Sequence, residues 1–509
     1  MACPSQICAF NIPMNPNKPK ADVCLLLEGT YPYVPGGVSG WVHELIREQS
    51  HLLFHILAIL PPDASLERRY EVPDNVVGID NIILHRLPKG KKRLSAKLQK
   101  QLFLRLESPL LNLQTRARLK DLQKVINLLS GAHDQIGGSV LMNSQEAWVM
   151  LLRMYNTTMG NSGFLDYFWT WRALMGGLFS IVTASLPAAG CYHALCTGFA
   201  GLMLARAKLE TQAPCLLTEH GIYTNERRIE ISSADWLEDQ RSLNLSVEKS
   251  RFDKSLSEVW IEMFAGYSKL CYDACDRIFT LYEGNKELQI EDGADPQKLA
   301  LIPNGIDYDR YSSVERDPQH PPTVALIGRV VPIKDVKTFI RAIGILSQKV
   351  SDLRVWIMGP TDEDEEYYME CREMVDHARL TEIIQFTGKV KIDDYLGQID
   401  VLALTSLSEA QPLVLLEGGA AGIPAVSTEV GACREIIEGR SDETPQLGAG
   451  GVICSLSSPG ELSEAFHRLL TDQKFFENCS RVMKERVKTY YNKIDQHLAY
   501  QTVYAELMS

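Results

Sequence analysis

Four charged residues in the second half of the chain are spaced in a way that could do chemistry. Arg329 and Lys334 lie in GRVVPIKD, and Glu409 and Glu417 lie in LTSLSEAQPLVLLEGGAAGIPAVST. A guanidinium forks onto paired anionic oxygens and an ammonium is a mobile point charge, so the two cations suit a diphosphate. Ionised carboxylates only accept hydrogen bonds, so the two glutamates suit hydroxyl donors such as those of a sugar. All four fall at the end of an apolar run or in the turn and helix just after it. The simplest alternative is two ion pairs, Arg329–Glu409 and Lys334–Glu417, which are worth little on a surface. The shared strand-end position weighs against that alternative.

The elements that must hold these residues follow from the pattern around them. Thr323–Ile327, Leu353–Met358, Ile383–Phe386, Val401–Thr405 and Gly451–Cys454 are short apolar strands. They alternate with helical stretches at Val336–Gln348, Glu365–Arg379, Asp394–Gln398 and Ala432–Glu438. Such alternation predicts a parallel sheet with right-handed crossovers. In such a sheet, ligands bind beyond the C-terminal strand ends, where helix N-termini also point. The acidic run Asp362–Glu366 reads as a solvated helix start.

The first half has the same rhythm with an interruption. Val23–Leu27 is a buried strand followed by the Gly36-Gly37 loop and a helix bearing Val38, Trp41, Val42 and Leu45 on one face. The glycine pair reads equally as a turn needing positive φ and as a place of close approach to phosphate or sugar. Leu52–Leu60 is a second strand, and Val76–Leu87 reads as one or two more. From about 89 to 184 the strand signal gives way to helices, a helical insertion whose most apolar stretch, Leu174–Ala189, reads as a buried helix. The basic cluster Lys89–Arg93 reads as a solvated helix start. Strands return at Cys191–Leu195 and Ala213–Glu219, the latter ending in Glu219-His220-Gly221. A lone histidine is usually structural, but His220 stands at a strand end where ligands sit. Arg277–Leu281 and Leu299–Pro303 complete this half.

The expected division is a disordered tail at 1–20, a first domain at 21–307, a linker at 308–322 and a second domain at 323–474. C-terminal helices at 475–509 have the option of packing back on the first domain.

At 509 residues, 45 % hydrophobic and 23 % charged, the chain reads as a soluble globular protein of two large domains. A net charge of −12 argues against a nucleic-acid binder. The twelve cysteines form no metal pattern and read as reduced core thiols. Met1–Lys20 lacks the apolar core of a signal peptide, and no run of about 18 apolar residues predicts a membrane span. The missing G-x-G-x-x-G disfavours a nicotinamide dehydrogenase. The expected setting is cytoplasmic.

GRVVPIKD, FTGKV and SEAQPLVLLEGGAAGIPAVST resemble the donor-binding motifs of glycosyltransferase family 4, a retaining family of GT-B fold. ADVCLLLEGTYPYVPGGVSGWVHELI, LTEHGIYTNERRIEI and GACREII are similar to the PelF-like glycosyltransferases of Pel exopolysaccharide synthesis. The resemblance implies an α/β GT-B fold, with two Rossmann-like domains facing a cleft and a helical insertion in the first. It implies that Arg329 and Lys334 neutralise a leaving diphosphate in place of a metal, that Glu409 contacts donor-sugar hydroxyls, and that Glu417 binds the ribose. Gly36-Gly37 would approach the diphosphate, His220 the donor sugar, and the backbone at Lys389 and Val390 the base. It implies no cofactor, a UDP-sugar donor (UDP-glucose or a UDP-N-acetylhexosamine), a polysaccharide acceptor and an inner-membrane exopolysaccharide synthesis complex as partner. The sequence departs from the family at Gln411-Pro412, where many members carry an aromatic-Gly pair and proline removes one N–H donor. Two other readings stay open: a non-catalytic nucleotide-binding assembly protein, and a UDP-sugar 2-epimerase on the same fold.

Overall fold

The structure, a computed structural model, describes residues 21–90, 94–130, 136–158, 163–232 and 256–509. The expected tail, Lys91–Arg93 of the basic cluster and the start of the helix expected at 252–274 lie outside these residues. By internal contacts the chain divides into two units. Unit 1 comprises 1–278, 292–299 and 504–509; unit 2 comprises 279–291 and 300–503.

Unit 1 is built on β1 (Ala21–Glu28), β2 (Phe54–Leu60), β3 (Val76–Ile83), β4 (Ala189–Ala194) and β5 (Cys215–Glu219). The strands β6 (Arg277–Thr280) and β7 (Leu299–Leu301) straddle the division, and the sheet order is β3-β2-β1-β4-β5-β6-β7. The pairings of β1 with β2 and β4, of β2 with β3 and of β4 with β5 are parallel. β1 and β2 are almost wholly buried, which explains why they read as unbroken apolar runs. Between β1 and β2 runs α1 (Gly37–Glu48). Within Val76–Leu87 there is one strand, which ends at Ile83.

The helical insertion comprises α2 (Ala96–Thr115), α3 (Leu119–Ser130), α4 (Gly138–Asn143), α5 (Gln145–Thr158) and α6 (Phe164–Thr183). α6 buries Trp171, Leu174, Met175 and Leu178 in the core of this unit. The helix stops at Thr183, short of the expected Ala189, because Pro187 and the entry into β4 break the pattern. α7 (Phe199–Thr211), α8 (Tyr223–Ser232) and α9 (Leu256–Ala274) complete the cover.

Unit 2 starts with α10 (Glu283–Glu291) and α11 (Tyr308–Ser312). It then alternates β8 (Thr323–Ile327), α12 (Val336–Leu346), β9 (Arg354–Met358), α13 (Glu365–His377), β10 (Ile384–Gly388), α14 (Asp393–Leu396) and β11 (Val401–Leu404). Then follow α15 (Leu413–Ala420), β12 (Ala425–Thr428), α16 (Cys433–Glu438), β13 (Gly451–Cys454), α17 (Pro459–Thr471), α18 (Gln473–Tyr490) and α19 (Lys493–Met508). The six strands are parallel in the order β10-β9-β8-β11-β12-β13. The order reverses between β8 and β11, which are hydrogen-bonded neighbours.

The boundaries depart from expectation in one place and follow it in part in another. The stretch 308–322, expected as a linker, starts as α11, because Asp307 accepts from the Arg310 N–H and Tyr311 is an apolar anchor that is 9 % exposed. The C-terminal helices divide between the two units, with only their last residues in unit 1. α18 buries Cys479, Val482, Met483 and Val487 in the cores of unit 2, and only Tyr504 onward belongs to unit 1. Within unit 1, Tyr504 places its hydroxyl 2.7 Å from His193 Nδ1. Arg486 of α18 is fully buried against Glu443 at 2.7 Å and donates to the carbonyls of Ile437 and Gly448. Removing that carboxylate would strand a buried charge, at a cost of about 3–5 kcal/mol.

Candidate nucleotide-sugar site

In unit 2 the predicted residues gather where the strand order reverses. β8 runs into the loop bearing Arg329 and Lys334, and β11 runs into the loop bearing Glu409. The two loops are stitched together. Leu407 N donates to Ile333 O at 2.8 Å, and Thr405 Oγ1 donates to Lys334 O at 2.9 Å. Lys334 Nζ is paired with Glu409 Oε1, and Ser406 Oγ donates to the same oxygen at 2.7 Å. Both charged side chains are largely shielded, at 20 % and 14 % exposure. Thr428 Oγ1 holds Ser406 O at 2.7 Å, so β12 braces the loop from its other side.

The remaining charges do not pair as the simple alternative requires. Arg329 Nη1 donates to Glu363 Oε2 at 2.6 Å, and both side chains are about half exposed. Glu363 lies in the run read as a solvated helix start. Asp364 does cap α13, accepting from Tyr367 N at 2.9 Å, but Glu363 reaches the Arg329 loop instead.

Glu417 is in α15 and accepts from the Tyr311 hydroxyl at 3.0 Å. Burial holds its carboxyl above the usual carboxylate range, partly offset by the Tyr311 hydrogen bond and the Arg310 charge. Lys389 and Val390 follow β10 at the same C-terminal sheet edge, Lys389 exposed and Val390 half-buried.

α15 begins at Pro412 with no side-chain cap. No side-chain oxygen meets its first N–H groups, which suits an anion, although Leu415 N donates to Pro412 O at 3.1 Å. Gln411 precedes the helix, its Nε2 meeting no hydrogen-bond partner among the described residues. It is 7 % exposed and accepts from Asn304 N at 2.7 Å, anchoring the loop from behind.

Gly36, Gly37 and His220 belong to unit 1. A Cβ built on either glycine would meet nothing within 4 Å, so packing does not require glycine there, and the loop is exposed. The helix that follows carries Trp41, whose ring stands edge-on to His220 with centroids 4.8 Å apart. Burial pushes His220 down to about 4 and its neighbour His193 down to about 3, so both are neutral at pH 7. A neutral imidazole can accept or donate a hydrogen bond but supplies no charge for a phosphate.

Sequence reasoning missed two residues at the unit 2 site and one structural carboxylate in unit 1. Tyr311 lay in the expected linker, and Glu363 in a run explained by helix capping. Glu28, at the end of β1, was read only as part of a motif. Its Oε1 accepts from Tyr223 OH at 2.9 Å, and its Oε2 accepts from Ala200 N at 3.2 Å and from Cys196 Sγ. It thereby occupies the N-terminus of α7. The ten cysteines among the described residues are free thiols and nine are buried, in keeping with a role as core residues.

Residues 321–472 match the family described as glycosyl transferases group 1. Residues 21–297 match a family described as a domain of unknown function, DUF3492, and the chain belongs to that family. It is similar to Anabaena Alr3699/HepE in complex with UDP, at 11 % identity and a TM-score of 0.56, covering 95 % of this chain and 100 % of that one. Sucrose-phosphate synthase from Thermosynechococcus elongatus aligns at 14 % identity and a TM-score of 0.57, covering 96 % and 99 %. These likenesses establish the GT-B fold. The D-inositol 3-phosphate glycosyltransferase of Paenarthrobacter aurescens (strain TC1) is 24 % identical over 221 residues, 40 % of this chain and 51 % of that protein. The N-acetyl-alpha-D-glucosaminyl L-malate synthase of Bacillus anthracis is 24 % identical over 177 residues, 35 % and 43 %. The chain thus spans about half the length of these curated relatives. No helix among the described residues is long and apolar enough to cross a membrane.

Proposed function

We propose that the protein is a retaining glycosyltransferase that moves a hexose from a UDP-sugar to a growing bacterial exopolysaccharide. The observation that carries this reading is the shielded Lys334–Glu409 pair beside the uncapped start of α15, at the point where the sheet of unit 2 reverses its order. The diphosphate lies on the α15 N-terminus with Lys334 and Arg329 neutralising it. Glu417 accepts from the ribose hydroxyls, and Glu409, once Lys334 turns to phosphate, accepts from the donor sugar. The base lies at the Lys389–Val390 backbone. Arg329 and Lys334 do the work a metal would do, and stabilisation of the leaving group is chiefly electrostatic. The leaving phosphate accepts the acceptor's proton on the face of departure, which retains the anomeric configuration.

The UDP complexes of the HepE neighbour support a uridine nucleotide, and the resemblance to PelF-like members of family 4 supports a Pel-like polysaccharide acceptor in the cytoplasm, beside an inner-membrane synthesis complex. The test combines UDP titration by calorimetry with donor turnover in Arg329→Ala and Glu409→Ala. Loss of turnover in both supports transfer, and wild-type rates in both would refute it. UDP binding without turnover of any donor would favour the assembly-protein reading. Conversion of the sugar without an acceptor would favour the epimerase.

A further inference from the structure

A second cavity, in unit 1, serves none of the roles above. It has a volume of about 730 Å³ and lies where the segment 85–90 passes α4 and α6. Its lining includes Arg86, Lys89, Arg172 and Trp169, and among the described residues no carboxylate. Arg86 Nη2 donates to Pro62 O at 3.1 Å, and Arg172 Nη1 donates to Met142 O at 2.9 Å. Among the described residues no acid pairs with any of the three cations. In a chain of net charge −12, a concave site whose charged residues among those described are all positive suits an anion.

The wall is built to hold its shape. A Cβ on Gly176 of α6 would strike the His85 ring at 2.5 Å, and one on Gly137 would strike Gly90 N at 2.3 Å and Pro88 O at 2.4 Å. Only glycine lets the segment lie this close to both helices. His85 N is fixed to Ser180 Oγ at 2.9 Å, and Gly138 N to Pro88 O at 3.1 Å.

The rim is apolar on the outside. Leu165, Trp169, Arg172 and Gly176 recur at spacings that form one stripe of α6. The inner part of the stripe lines the cavity, and the outer part faces solvent with Leu165 at 64 % and Trp169 at 60 % exposure. Trp148 of α5, 44 % exposed, stands edge-on to Phe164 beside them, with ring centroids 5.6 Å apart. A large indole left in water next to cations that meet no acid among the described residues is the combination favoured at a lipid interface, where the ring enters the headgroup layer and the cations meet phosphates.

We infer that this cationic cavity and its Leu165–Trp169 rim form a docking site for the anionic phospholipid surface of a membrane, with a lipid phosphate in the cavity. The negative remainder of the molecule is repelled by such a surface, so this patch would orient the protein on it. The inference is independent of the donor site, because every residue it uses lies outside the proposed catalytic set.

Co-sedimentation of the full chain with vesicles tests it, comparing phosphatidylcholine alone with an equal mixture of phosphatidylglycerol and phosphatidylcholine. Binding is expected only to the mixture, and it should weaken with added salt. Lys89→Glu should reduce it by roughly tenfold or more, since one positive charge becomes negative at the surface. Trp169→Ala should reduce it too, and both exposed-site variants should keep wild-type donor turnover and thermal stability. Three outcomes would overturn the inference: no binding to the mixed vesicles, equal binding to neutral ones, or wild-type binding by both variants. If inorganic phosphate protects the protein against unfolding in a Lys89-dependent way while vesicles do not bind, the cavity serves a free phosphate and the lipid assignment is wrong.

Discussion

The two sheets present the same local geometry with opposite charge. In unit 1 the strand order turns between β1 and β4, and the helix after β4 has its N-terminus occupied by the protein's own Glu28 carboxylate. In unit 2 the order turns between β8 and β11, and the helix after β11 starts without a side-chain cap, with Lys334 on the adjoining loop. A helix N-terminus attracts anions in either place. One is already satisfied by the protein's own carboxylate, so the proposed diphosphate is assigned to the second. Strand–loop–helix pattern alone therefore does not say which half binds the nucleotide; what fills the helix start decides it.

The strongest way to break this comparison is to remove the cation of unit 2. Lys334→Ala should lower turnover by roughly 10²–10³-fold, the loss typical of a deleted charge stabiliser, and should raise the KM for donor less. Steady-state kinetics separates the two. Lys334→Arg, which keeps the charge but not its geometry, should recover part of kcat.

The converse variant is in unit 1. Glu28→Gln turns an amide N–H toward donors that now meet carboxylate oxygens. It should cost on the order of 1–3 kcal/mol of stability and several degrees in Tm, while UDP affinity stays at wild type. A loss of UDP affinity at unchanged Tm would mean that the α7 terminus takes part in nucleotide binding after all.

Glu417 offers a pH test of the same contrast. Its folded carboxyl titrates above the ordinary range because it is buried. The folded state therefore holds its proton longer than the unfolded chain does. Its contribution to stability is greatest at low pH and declines as pH rises from the ordinary carboxyl value through the folded one. Glu417→Gln should flatten that decline and leave the neutral-pH Tm equal or higher. The same variant should raise the KM for donor about tenfold, since an amide replaces an acceptor-only group at the ribose. Tyr311→Phe removes a hydrogen bond that favours the ionised form, so it should move the apparent pKa in the KM profile further upward. A purely structural tyrosine would change Tm without moving that profile.

Much of this was legible in the chain. Parallel strands buried on both faces are unbroken apolar runs, so β1, β2, β8 and β11 were readable within a residue or two. Charges placed just after such runs, Arg329, Lys334 and Glu409, could only lie at a C-terminal sheet edge. Their partners were not readable. Lys334 meets Glu409 rather than Glu417, and Arg329 meets Glu363, because loop conformation rather than strand order decides which side chains touch. Tyr311 was hidden in a polar stretch rich in Asp, Gln, His and Pro, whose composition resembles a linker although a capped helix starts it. Gln411 departs from the family motif, yet it turns inward to the Asn304 N–H, a long-range contact that no local pattern encodes.

The smallest effect concerns Arg329. Its pairing with Glu363 is exposed on both sides, so it contributes only about 0.2–1 kcal/mol. A diphosphate must compete with that carboxylate for the guanidinium. Glu363→Gln removes the competitor and keeps the side chain's size, so UDP affinity should rise by up to roughly fivefold, the range that this energy allows. The gain should shrink at high salt, where the pair is already screened. Titration calorimetry at two ionic strengths reads both effects. A drop in affinity instead would show that Glu363 holds Arg329 in the binding position, which would make the second cation of unit 2, like the helix start in unit 1, dependent on a carboxylate of the protein's own.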